Sequence, residues 1–346
     1  MPAVPPRPPV APRPWPAASF LALALLPALS GCASPVHDVH AASTPAPAVS
    51  AAPETSTAFE RGMTQFGALQ FAEALATFRA VAAGGSASPL LFAMIAYSEL
   101  QLHEDELAAR DAEQALALGA QGSDRAWALL TKGELALQTG DGATAASLFA
   151  EATAETPRFA TGWAALGDAE ALLPGRTAAA LRAYARALEI DPVYARAIRG
   201  RSRALAAAGK VDEALALLEP AMARSPDDAE LFHCRGIILF DTGKLEEAER
   251  DFRKALALKP DDAVLHVELG NALDEEKRYP EAEAAYRKAL DLGKGRFEAH
   301  FNLAVSLAKQ GKLGQALEEV RAELAVNPRH PGARKLEAML SRDLHR

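Results

Sequence analysis

The chain has 346 residues, 49% of them hydrophobic and 24% charged, which excludes a wholly disordered protein and leaves room for one large domain or two ordinary ones. A net charge of −8 excludes a broad phosphate-binding surface, and with it DNA or RNA as general partners. Aromatics make up only 6% while Ala, Leu and Glu dominate, a helix-former's composition, and two cysteines are too few for a disulfide-stapled miniature domain.

Residues 1–31 contain Arg7 and Arg13 and no acidic side chain, and an apolar run extends from Ala17 to Leu29. That run is shorter than the roughly 20 residues needed to cross a bilayer and is broken by Pro27, so it reads as a secretory signal. It closes on Leu29-Ser30-Gly31-Cys32, which resembles the lipobox of bacterial lipoproteins. The resemblance implies cleavage before Cys32 and a diacylglycerol on its thiol. Ala33 stands where Asp often marks inner-membrane retention, so the same resemblance favours the periplasmic face of the outer membrane, with the inner membrane as the alternative. Residues 32–54 are rich in Pro, Ala and Ser and are expected to form a disordered tether with an r.m.s. reach of roughly 25 Å.

From residue 55 a 34-residue period takes over. Ala180, Ala214, Ala248, Ala282 and Ala316 recur at that interval, each followed four residues later by Tyr184, Leu218, Phe252, Tyr286 or Val320. Pro192, Pro226, Pro260 and Pro328 close units. The copy at 229–262 shows the design: a first helix carrying Phe232, Gly236 and Leu239, a break at Gly243, and a second helix carrying Leu245, Ala248, Phe252 and Ala255. Small residues at Gly236 and Ala248 let the paired helices approach, because overpacking there would force them apart. The pattern is similar to the tetratricopeptide repeat; Trp163, Leu166, Gly167, Ala180, Tyr184, Ala187 and Pro192 carry the resemblance most fully. It implies an all-α, right-handed α-solenoid of about eight repeats, at 55–88, 89–122, 126–159, 160–194, 195–228, 229–262, 263–296 and 297–330. Residues 331–346 supply a capping helix and tail, which such arrays require.

By the same resemblance, positions 2, 5, 6, 9, 12 and 13 of each unit face a concave groove. In the first three units these include Phe59, Met63, Phe66, Met94, Tyr97 and Trp127, an apolar strip that is either a partner-binding surface or packing between first helices. In the fifth unit Arg196, Arg199 and Arg203 share one helix face and are either an anchor for an acidic partner or are neutralised by Asp168 and Glu230. Asn271 and Asn302 match the asparagines of a carboxylate clamp, but Val267, Gly332 and Leu336 replace its cations, so that mode is rejected. Arg201 and Arg235 stand where the pattern prefers Leu and are expected to pack their stems with their heads in water.

His233, Cys234, His266 and His300 read as packing residues, since equivalent positions in successive repeats sit on separate helices and do not converge on a metal. The sequence has no phosphate loop, HExxH, G-x-S-x-G or Rossmann fingerprint. The expectation is a non-catalytic scaffold or adaptor without cofactor or metal, tethered through Cys32 and holding a protein segment in its groove. A pilotin-like assembly factor and an enzyme adaptor both fit, and a self-associating envelope protein is the alternative.

Overall fold

The computed structural model describes residues 53–293 and 299–344; the signal, Cys32 and nearly all of the tether lie outside the described residues. Among the described residues there are seventeen α-helices and no strand. They pair as α1 (Pro53–Gly67) with α2 (Phe71–Ala83), α3 (Pro89–Gln101) with α4 (Asp105–Ala117), α5 (Gly122–Gln138) with α6 (Gly142–Glu155), and α7 (Ala160–Leu172) with α8 (Thr177–Ile190). The series continues as α9 (Ala195–Ala207) with α10 (Val211–Arg224), α11 (Ala229–Asp241) with α12 (Leu245–Leu258), α13 (Ala263–Glu275) with α14 (Tyr279–Asp291), and α15 (Ala299–Lys309) with α16 (Leu313–Val326). A last helix, α17 (Pro331–Leu344), buries Ala333, Leu336 and Leu340 against the stack and turns its charged residues outward.

Each helix packs on its neighbours in sequence, and odd-numbered helices from α3 to α17 also touch one another directly. Even-numbered helices make no comparable contact. The odd helices therefore line the inner face of an α-solenoid and the even helices its outer face.

The hairpins close on left-handed turns. In the α11–α12 turn Gly243 takes φ +77°, while its amide donates to the Phe240 carbonyl at 2.9 Å and the Lys244 amide to the Leu239 carbonyl at 2.9 Å. Gly140, Gly209 and Gly311 repeat the left-handed turn in other hairpins, but Leu69, His103 and Lys277 occupy the same place with φ near +60°. A side chain there costs roughly 1 kcal/mol or more. Lys277→Gly is therefore expected to raise stability by about 1 kcal/mol, measured as a shifted urea midpoint, because Lys277 is exposed. An unchanged midpoint would show that the turn stores no such strain.

Between the helices of a pair, an aromatic ring from the second lies against a glycine of the first. A Cβ on Gly236 would come within 2.6 Å of the Phe252 ring, and one on Gly270 within 2.5 Å of Tyr286. Gly62–Phe78, Gly133–Phe149 and Gly167–Tyr184 repeat the arrangement. Three hairpins lack it, with Ala96 facing Ala112, Ser202 facing Leu218, and Ala304 facing Val320 at the corresponding positions.

Beside the α3–α4 hairpin a carboxylate is buried. The Glu99 side chain is fully buried, bonded to Arg79 at 2.7 Å, and shares its surroundings with Asp111, Arg110 and Glu104. Burial pushes the Glu99 carboxyl up from 4.5 to about 7, against the pull of Arg79 and with the help of the Asp111 carboxylate. A raised acid pKa in the folded state favours folding when protonated. That stabilisation is complete below about pH 4.5 and is lost as pH rises through 7. Wild type should lose of order 2 kcal/mol more than Glu99→Gln between pH 5 and pH 8 in urea titrations. Parallel pH profiles would refute the assignment.

Candidate binding surface on the inner face

Along α1 to α7 the inner face is filled by its own side chains. Phe66 on α1, Tyr97 on α3, Trp127 on α5 and Phe159 before α7 form a series with centroids 5.6, 4.9 and 4.9 Å apart, the first pair tilted and the other two edge-to-face. Phe66 also meets Trp127 at 5.6 Å and Phe71 at 5.5 Å. Aromatic pairs at these separations are favourable beyond their area burial. Phe66, Met94 and Tyr97 are buried to 3% or less, so they present no surface, and the expected exposed strip is corrected for these three. Phe59 and Met63 are half-buried against the same core, with Phe59 5.6 Å from Phe78, and Trp127 is half-buried within the series. For Phe66, Met94 and Tyr97 the packing alternative holds, while Phe59, Met63 and Trp127 keep part of their surface open. Phe159 was not foreseen, although a Trp at the start of the third unit and an aromatic at its end was a visible signal.

The three arginines of α9 have three different fates. Arg196 is only 13% exposed; its Nη1 donates to Glu134 Oε1 of α5 at 2.7 Å and its Nε to Asp168 Oδ2 of α7 at 2.7 Å. The second Asp168 oxygen accepts from the Tyr184 hydroxyl at 2.5 Å. Burial works against the Arg196 charge, but Glu134 and Asp168 hold the guanidinium well above its usual range. Arg196 is thus an internal strut joining α5, α7 and α9, and the anchor expectation is corrected for it. Glu134 and Tyr184 are partners that sequence reasoning missed, while Asp168 was anticipated.

Arg199 keeps 26% of its side chain exposed and lies 3.9 Å from Asp228, a loose contact. Half-buried Arg203 offsets the upward push of burial on the Asp241 carboxyl of α11. Beyond them, polar groups continue along the inner face. His233, Lys259 and Arg199 hold Glu230 well below the usual carboxylate range. Burial raises Glu268 on α13, with His233 and Asn271 acting in the opposite direction. Asn302 donates to Asn271 at 3.1 Å, and the Tyr286 hydroxyl donates to the same Asn271 oxygen at 2.9 Å. The inner face from α9 to α15 therefore presents guanidinium, carboxylate and amide groups, next to half-buried Ile237 and Phe240.

The remaining polar candidates are structural. Trp163 Nε1 donates to the Pro157 carbonyl at 3.0 Å, and His266 Nε2 meets the Pro260 carbonyl at 3.0 Å. Arg334 Nε does the same to Pro328 at 2.8 Å. Three residue types thus make one bond between a first helix and the turn before it. Since a carbonyl can only accept, His266 carries its proton on Nε2 here. His300 pairs with Glu319 at 2.8 Å, and Cys234 is buried with Sγ 3.7 Å from the Arg199 carbonyl. Arg235 departs from its expected role: its head pairs in two bonds of 2.6 and 2.7 Å with Asp251, which is only 5% exposed. Among the described residues no group of three His, Cys, Asp or Glu side chains is placed to hold a metal, and no helix is long and apolar enough to cross a membrane.

Two family profiles described as tetratricopeptide repeat match the sequence, one over residues 130–195, 233–296 and 267–334 and the other over 171–233. No curated protein matches it. Among solved structures, the chain is similar to one from the APC/C hetero-tetramer Cut9–Hcn1, at 20% identity and a TM-score of 0.61, covering 78% of this chain and 52% of that one. It is also similar to a tetratricopeptide repeat protein from Parabacteroides merdae, at 18% identity and 0.55, covering 74% and 100%. IFIT1 in complex with Gppp-AAAA matches at 15% identity and 0.54, covering 78% and 69%. The chain spans about half the length of the first of these, and at such identities the likeness is one of fold.

Proposed function

The chain belongs to the tetratricopeptide repeat family over residues 130–334, more than half its length, and from that premise we propose that it is a non-catalytic scaffold binding a protein partner on the inner face of α9 to α15. The observation that carries this reading is the contrast along one surface. From α1 to α7 the inner face is closed by aromatic packing and the Arg196 strut, whereas from α9 onward Arg199, Arg203, Asp241, Glu268 and Asn271 remain at least partly open around Ile237 and Phe240. Polar side chains distributed along an inner face suit an extended segment that needs several hydrogen bonds and few deep pockets.

We further propose that Cys32 carries the lipid and holds the scaffold on the periplasmic side of the envelope, with the outer membrane favoured by Ala33. Localisation would then raise the effective concentration of the scaffold near membrane-bound partners, in the role of an assembly factor or an enzyme adaptor.

A photo-crosslinking amino acid placed in the full-length chain at Arg203, Asp241 or Asn271, and separately at Arg182 on the outer face, tests the surface. The inner positions should crosslink to one common partner and the outer one should not. Equal crosslinking from both faces, or products containing only a second copy of the chain, would overturn the scaffold reading. Incorporation of labelled fatty acid, lost in Cys32→Ala, tests the anchor separately.

A further inference from the structure

The array is not equally packed along its length. Four observations converge on α9, α10 and the start of α11. The α9–α10 hairpin lacks the glycine–aromatic contact of its neighbours, with Ser202 and Leu218 in those positions, and both Ser202 Oγ and Arg201 Nε are buried without a partner. An unsatisfied buried polar group weakens the packing it sits in. Pro220 lies inside α10, where it removes the amide that would donate to the Ala216 carbonyl and crowds the preceding turn. A crevice of about 140 Å³ opens between α10, α11 and α12, lined by Leu215, Glu219, Arg235 and Leu239 among others. Arg235 stands there in place of an apolar residue and is drawn aside to Asp251, so it does not fill the space.

The flanks differ. The two large cores lie on either side, one running from Phe66 to Ala169 and the other from Ala229 to Leu340, while α9 and α10 belong to smaller clusters, one of which joins Leu218 and Met222 of α10 to Leu231, Cys234 and Ile238 of α11. Arg196 ties α9 back to α5 and α7. We propose that the α10–α11 contact is a joint, about which the segment α1 to α9 and the segment α11 to α17 change their mutual angle. Packed cores resist gradual deformation, so motion concentrates where packing is thinnest and a helix is already interrupted.

Electron–electron distance measurements on the full chain, in a Cys32→Ala/Cys234→Ala background, test this with three spin-label pairs of matched helix spacing. Glu113 with Arg182 reports α4 to α8, Glu189 with Glu246 spans the joint from α8 to α12, and Lys254 with Glu318 reports α12 to α16. The middle pair should give a distance distribution about twofold broader than either control. Pro220→Ala, which restores the amide, should narrow it, and so should Ser202→Gly/Leu218→Phe, which restores the glycine–ring contact. Three distributions of equal width would overturn the joint, as would a broad middle pair that neither variant narrows. Circular dichroism establishes that each variant is folded, and if one is not, the other decides.

Discussion

Arg196→Met should lower stability by about 3 kcal/mol, several times the effect of removing a surface ion pair. Methionine keeps the length of the stem but leaves the Glu134 and Asp168 carboxylates, 18% and 28% exposed, close together without a cation. The cost is that of two partly desolvated like charges, more than of one lost contact. One control follows from that cause. Adding Glu134→Gln and Asp168→Asn to Arg196→Met should recover most of the loss, because a neutral cluster has no charge to strand. Urea unfolding followed by circular dichroism measures both. A loss below about 0.5 kcal/mol would mean the strut behaves as an ordinary surface pair. Arg196→Glu would place three carboxylates together, so charge-reversal tests of partner binding belong at Arg199 and Arg203 only.

Gly200→Ala should destabilise by about 2 kcal/mol, although alanine favours helix over glycine by about 1 kcal/mol. Tyr184 lies between two glycines: a Cβ on Gly200 would fall 2.3 Å from its ring and one on Gly167 2.5 Å from it. The ring cannot retreat from one glycine without striking the other, and its hydroxyl is bonded to Asp168. Gly67→Ala is the counterpart, since a Cβ there meets nothing within 4 Å, and that variant should be neutral or slightly stabilised. Tyr184→Leu in the Gly200→Ala background should recover part of the loss by freeing space. If Gly200→Ala and Gly67→Ala gave the same melting temperature, the close approach would not be the reason for glycine at residue 200.

The repeat was legible because its cause is local. A glycine on one helix and a ring sixteen or seventeen residues later are two halves of one contact, and the 34-residue period copies that contact down the chain. The groove was less legible because its fate depends on helices far apart in sequence. Phe59 to Trp127 occupy inward-facing positions in the pattern, but only the spacing of α1, α3 and α5 decides whether those rings meet each other or solvent. The arginines show the same limit. Arg196, Arg199 and Arg203 look equivalent on their helix, yet Arg196 alone reaches back to Glu134, 62 residues upstream. A trace of this was present: Glu134 and Asp168 sit one period apart, each at the same inward-facing place. The next residue down that column is Arg203, not Arg196, so only the folded arrangement of α5, α7 and α9 pairs them with Arg196.

The aromatic series on the inner face also determines what light can report. Besides Trp15 near the N-terminus, the chain has only Trp127 and Trp163, so nothing beyond residue 163 contributes tryptophan emission. Trp127 is held between Tyr97 and Phe159, and Trp163 lies 5.9 Å from the Arg186 guanidinium with its indole nitrogen bonded to a carbonyl. Fluorescence is therefore a local probe of the third and fourth hairpins, blind to the half of the array that carries the open polar face. Far-ultraviolet dichroism sums all the helices. A denaturation series in which the two signals part company would measure fraying of the distal hairpins while the aromatic segment stays intact.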